Sequence, residues 1–193
     1  MSKIVHGQPR WHDARSRAEG ALARARAPQS RQGLLGIYLN DHLAGATGGV
    51  ALAHRIAGSH DPAQRMTLQR LAADIAHDRR SLLDLMAVLE VPVRHYKISA
   101  AWAAEKAARL KLNGRLLGRS PLSSLEELEM LRLGVEGKAA GWRTLQELAG
   151  TDTRLNRTNL NELMARARQQ AGLLEELRVQ AAAHLIGAES GTP

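Results

Sequence analysis

Four polar residues stand where helical spacing puts apolar ones: His42, Asp78, Lys138 and Gln170. An ammonium and a carboxylate drawn into an apolar interior must find each other, because a lone buried charge costs far more than a satisfied pair. Such a core polar layer fixes the register of the elements that carry it. A lysine held beside an aspartate in a dry site can also serve as an amine nucleophile. No substrate-binding motif accompanies Lys138, and no residue is assigned a catalytic role.

The elements that must position these residues are helices. Leu68, Leu71, Ile75, Asp78, Leu82, Leu85 and Leu89 follow one another at alternating three- and four-residue steps, the spacing of one face of a bundle helix. In the preceding segment the apolar face reads Leu35, Tyr38, His42, Gly45, Gly49, Ala53 and Ile56, opposite a wet face of Asn40, Thr47 and His54. A third stripe is Leu128, Leu131, Val135, Trp142 and Leu145, with Lys138 among them. A fourth is Leu160, Leu163, Ala167, Ala171, Leu174, Leu177 and Ala181, with Gln170 at its edge. Stop and start signals bound them: Gly58, Asp61-Pro62, Val91-Pro92, Ser123-Ser124, Gly150, Asn159 and Gly187. These predict helices over about 33–57, 61–90, 123–149 and 159–186. No stretch alternates with the period of a strand, so the fold class is all-α.

Short links make the first two helices, and the last two, antiparallel neighbours. Residues 91–122 form a crossover long enough to run the length of the bundle, with a short helix of their own near 99–112. A turn near residue 60 sets Asp41 and His42 level with His77 and Asp78, and a turn near 153 sets Lys138 level with Gln169 and Gln170. Residues 1–32 are read as a mobile basic tail and 188–193 as a C-terminal tail. Gly45-Ala-Thr-Gly-Gly49 lies mid-helix with no strand before it, so it permits close helix approach or leaves room for a ligand rather than cradling phosphate.

Composition narrows the classes. The chain has 193 residues, 27 Lys plus Arg against 19 Asp plus Glu, a net charge of +8, and no cysteine or phenylalanine. Without cysteine there is no disulfide framework and no thiolate for metal binding or nucleophilic attack. No apolar run approaches the roughly 20 residues of a membrane span. The first ten residues lack a secretory apolar stretch, which makes a cytoplasmic protein the expectation.

Two antiparallel hairpins joined by one long crossover, over about residues 33–187, resemble the ferritin-like superfamily; a simple up-down bundle with a decorated loop is the alternative. The resemblance implies a metal layer at mid-bundle, where two helices each give a Glu and two give Glu-x-x-His. The matching positions here are Asp74-Ile-Ala-His77 in the second helix, Glu136 in the third and Asp41 in the first. The fourth helix has Gln169 and Gln170 and no Glu-x-x-His. The set is degenerate, so the first expectation is no cofactor, with Lys138 supplying positive charge in place of metal. Iron or manganese on Asp41, Asp74, His77 and Glu136, in an oxidase or iron-handling protein, is the alternative.

Charge is concentrated in two acid-poor segments. Residues 1–32 carry Arg10, Arg15, Arg17, Arg24 and Arg26, and the crossover carries Arg94, Lys97, Lys106, Arg109 and Lys111, interleaved with Tyr96 and Trp102. Such segments bind phosphates by counterion release. The resemblance adds that some DNA-protecting ferritin-like proteins use a basic tail this way, so nucleic acid is a possible partner. The leading expectation is a non-catalytic, self-associating binding or scaffold protein.

Overall fold

The computed structural model describes residues 30–59, 62–94 and 121–189. The N-terminal tail up to residue 29, the crossover helix near 99–112 and residues 190–193 lie outside them. The chain divides into Met1–Leu34 and Leu35–Pro193. The described part of the first unit is a capped helix start, in which Ser30 Oγ accepts the Gly33 N–H at 3.1 Å.

Four helices make up the described structure: α1 Arg31–Ser59, α2 Pro62–Val88, α3 Pro121–Leu148 and α4 Arg157–Glu189. Their ends fall within a few residues of those the sequence predicts. Helix α4 starts early because Asn156, not Asn159, caps it: its Oδ1 accepts the N–H of Thr158 at 2.8 Å and of Asn159 at 3.2 Å. Helix α2 ends in a Schellman turn, with the Val91 N–H bonded to the Met86 carbonyl at 2.8 Å and the Glu90 N–H to the Ala87 carbonyl at 3.0 Å. The turn forces Glu90 to a φ of 56°, a left-handed conformation that disfavours any side chain. Glu90→Gly is therefore expected to raise stability by about 1 kcal/mol in urea denaturation.

Contacts fix the helix directions. Tyr38 bonds to Thr144 and Arg55 to Glu127, so α1 and α3 run antiparallel. Gln64 with Gln180 and Asp78 with Arg166 show the same for α2 and α4. Lys138 with Gln170 and Arg132 with Glu175 do so for α3 and α4. Thr47 with Arg79, and Asn40 with Pro92 beyond the end of α2, complete the set for α1 and α2. Every neighbouring pair is thus antiparallel, and α2 and α3 are parallel across the diagonal. The chain leaves α2 beside Asn40 and enters α3 beside Arg55, so the end of α2 and the start of α3 lie at opposite ends of the bundle. The result is an all-α four-helix bundle in which the α1–α3 contact is the weaker one.

The core forms where the sequence stripes of α2, α3 and α4 place it. Leu68, Leu71, Leu82, Leu128, Leu131 and Leu163 are all buried. Helix α1 keeps the end of its predicted stripe, with Ala53 and Ile56 buried, and departs from it earlier. It buries Gly36, Leu39, Asn40, Leu43 and Ala44 in its first half, so the face carrying Tyr38, His42, Gly45 and Gly49 is turned out of the core. Rich in Gly and Ala, α1 offers little apolar contrast between faces, and tertiary contacts choose the rotation. Asn40, expected on the wet face, is only 1% exposed. Its Nδ2 donates to the carbonyls of Gly36 and Pro92 at 2.8 and 3.0 Å, and its Oδ1 accepts the Arg94 N–H at 2.6 Å. Buried amides persist where such partners exist.

Candidate functional site

Three of the four core polar residues meet. Asp78 has no side-chain exposure. Its Oδ2 accepts from Lys138 Nζ at 2.5 Å and from Gln170 Nε2 at 2.9 Å, and Lys138 Nζ also donates to Gln170 Oε1. Its Oδ1 accepts from Arg166 Nε at 2.6 Å. One carboxylate on α2 thus gathers donors from α3 and α4, including a lysine reaching diagonally across the bundle. Arg166 is the member sequence reasoning missed. Its signal was its place one turn before Gln170 on α4, near enough for its stem to lie on the core while its head reaches inward.

This crowding sets the electrostatics. Burial pushes the Lys138 ammonium below its ordinary value of 10.5, the Asp78 carboxylate and its hydrogen bond pull it back, and Arg166 adds to the lowering. Asp74 contributes only at a distance, as a weaker favourable charge. Lys138 Nζ thus has two acceptors, Asp78 Oδ2 and Gln170 Oε1.

His42 stands apart from the layer, and none of the bonds among Asp78, Lys138, Gln170 and Arg166 reaches it. Its ring packs edge-on to Tyr38, centroids 4.5 Å apart, and lies 3.1–3.4 Å from where a Cβ on Gly141 would sit. A Cβ at 141 would make the His42 ring give way by a few tenths of an ångström. The α1 side chain bonded beside the layer is Thr47, which accepts from Arg79 Nε at 3.0 Å. Burial lowers the His42 pKa from 6.5, opposed by the nearby Asp41 carboxylate. Its neutral ring favours the fold fully above pH 6.5. That contribution is lost as pH falls towards the depressed folded value, because the unfolded chain takes up the proton first. An NMR titration of the His42 ring should show a midpoint below 6.5, and His42→Gln should flatten the decline in stability below that pH.

The residues matched to a metal layer do not assemble. Asp41, Asp74, His77 and Glu136 are all exposed. No group of three or more His, Asp or Glu able to hold a metal occurs among the described residues. The reason is rotational: the α2 seam centres on Ile75, Asp78 and Leu82, which carries Asp74 and His77 to its flank. Glu136 instead pairs loosely with Arg132 at 4.0 Å. Of the basic residues proposed for nucleic acid, Arg94 alone is described, and Arg10, Arg15, Arg17, Arg24, Arg26, Lys97, Lys106, Arg109 and Lys111 lie outside the described residues.

A groove opens beside the charge layer, along the seam of α1 and α3. It measures about 770 Å³, within the range of sites for small organic ligands. The face of α1 that the sequence suggested for the core is its wall: Tyr38, His42, Gly45 and Gly49 all line it. Gly134 and Gly137 face it from α3, and a Cβ added at any of these four glycines would meet nothing within 4 Å among the described residues. Lys138 and Asp78 reach it from one side and Trp142 from one end. Trp142 is 2% exposed, and its buried Nε1–H has no hydrogen-bond partner among the described residues.

Fold and site together define an all-α four-helix bundle with a buried ionic layer and an open glycine-lined seam. Comparison with family models, curated proteins and solved structures gave no match. Among the described residues, no helix is long and apolar enough to cross a membrane.

Proposed function

We propose that this protein is a non-catalytic binding bundle of ferritin-like connectivity. In this reading the Asp78–Lys138–Gln170–Arg166 layer does the cross-linking that metal does in that superfamily, and the α1–α3 seam holds an elongated apolar ligand. The observation that carries it is the groove itself: helices that would otherwise close on one another present glycines to open space. Closed helix packing brings axes within about 8–10 Å and fills the interface with side chains. A seam left unfilled among the described residues, over mainly apolar walls, is the kind of concavity in which small ligands bind.

The test is fluorescence titration with a neutral naphthylamine dye. Wild-type protein should bind it with one site per chain. Gly48→Leu and Gly137→Leu, which add side chains into open space, should each weaken binding at least tenfold. Neither should lower the melting temperature, since glycine in a helix interior costs about 1 kcal/mol relative to better helix formers. Unchanged dye binding in both variants would overturn the assignment.

A further inference from the structure

Lys138 is the one lysine among the described residues; Lys3, Lys97, Lys106 and Lys111 lie outside them. Elsewhere the chain places positive charge mainly with arginine, 22 against five lysines. The difference matters at this position. A guanidinium meets a carboxylate with two parallel bonds and never loses its charge, so it is the better structural cation. A buried lysine gives up its proton more readily and then attacks carbonyl carbon. Burial already favours the neutral amine of Lys138, against the pull of Asp78.

The seam gives that amine a way to meet a ligand. Lys138 is part of the groove wall, and its side chain keeps 14% exposure. The α3 residues that lie against its stem are those one turn before and one turn after it. Gly134 and Gly141 fill two of these positions, both on the groove, and neither covers the stem. From Lys138 to Glu127, at the far end of the groove, α3 rises about 17 Å at 1.5 Å per residue, past Gly134, Leu131 and Met130. Asp78 and Gln170 fix Nζ in place beside this stretch.

We propose that Lys138 holds its ligand covalently: an apolar aldehyde lying in the α1–α3 seam condenses with Nζ to a protonated Schiff base paired with Asp78. The inference rests on the binding role given to the seam. Nζ passes one proton to Asp78 Oδ2 and attacks the carbonyl carbon with the electron pair so freed. A second Nζ proton moves to the carbonyl oxygen, giving the carbinolamine. Asp78 returns its proton to that hydroxyl, which leaves as water while the nitrogen pair closes the C=N bond. The iminium keeps one N–H, directed at Asp78 Oδ2. One positive charge stands beside the same carboxylate before and after, so the reaction leaves no buried charge unpaired.

The experiment incubates the full chain with 6-dimethylamino-2-naphthaldehyde, a neutral probe whose absorbance moves to longer wavelength in a protonated imine, and then reduces the mixture with cyanoborohydride. Wild-type protein should gain one adduct per chain. Peptide mass spectrometry should place it on Lys138, at least tenfold above any other lysine. Lys138→Arg keeps a cation for Asp78; it should lose the red-shifted band and still bind the aldehyde reversibly, read as displacement of the naphthylamine dye. Gly137→Leu should cut the adduct yield at least fivefold. An adduct spread over Lys3, Lys97, Lys106 and Lys111, or one undiminished in Gly137→Leu, would overturn the proposal. Aldehyde that displaces the dye from wild-type protein without forming an adduct would overturn it too and leave the apolar site standing. Failure of both dye and aldehyde to bind would remove the site as well.

Discussion

Asp78→Leu is expected to lower the unfolding free energy by about 3–5 kcal/mol, the usual cost of removing one partner of a buried ion pair. The loss comes mainly from what remains. Lys138, with 14% side-chain exposure, keeps its charge in the core without a counterion. Arg166 is less affected, since its side chain is 30% exposed and can turn to water. Adding Lys138→Met should therefore recover most of the loss, because an apolar pair of similar volume replaces the ionic one. A remainder of about 1–3 kcal/mol should stay with Gln170, buried and stripped of both partners. Urea denaturation of the two single variants and the double variant measures the coupling. Additive losses would show that the two side chains do not support each other.

Asn40→Leu is the second large effect, at about 3 kcal/mol. It strands the Pro92 carbonyl and the Arg94 N–H, each costing about 1–3 kcal/mol when left unsatisfied. Some of the penalty returns as apolar burial. Asn40 ties the chain leaving α2 back onto α1, so the variant should also speed amide exchange at Val93 and Arg94. Thr47→Ala is the contrast. Thr47 makes one bond to its own helix and receives one from Arg79 at a half-buried position, and less than about 1 kcal/mol is expected there. Equal losses at the two positions would show that Asn40 is not the hook the geometry describes.

Helix α2 was legible because its seam has strong contrast: seven positions at alternating three- and four-residue steps, with one charge at the centre. All seven are buried. From it came Asp78, and the turn near residue 153 brought Lys138 and Gln170 to the same level. Helix α1 was legible only towards its end, at Ala53 and Ile56. Small residues on several of its faces leave its rotation to its neighbours, so His42 and the Gly45–Gly49 segment line a groove rather than the core. Asn40 and Arg166 were missed for a shared reason. Each is polar, and each is held inward by partners distant in sequence, which periodicity cannot register. Asp74 and His77 had the spacing of a ligand pair on the wrong face of their helix.

Occupancy of the seam is tested most directly by locating a bound ligand. Isotope-filtered NMR of the labelled protein with the unlabelled naphthylamine dye should give nuclear Overhauser contacts from the dye protons to the Hα atoms of Gly48 and Gly137 and to the His42 ring. Contacts confined to other surfaces of the bundle, with none to these three residues, would contradict the site.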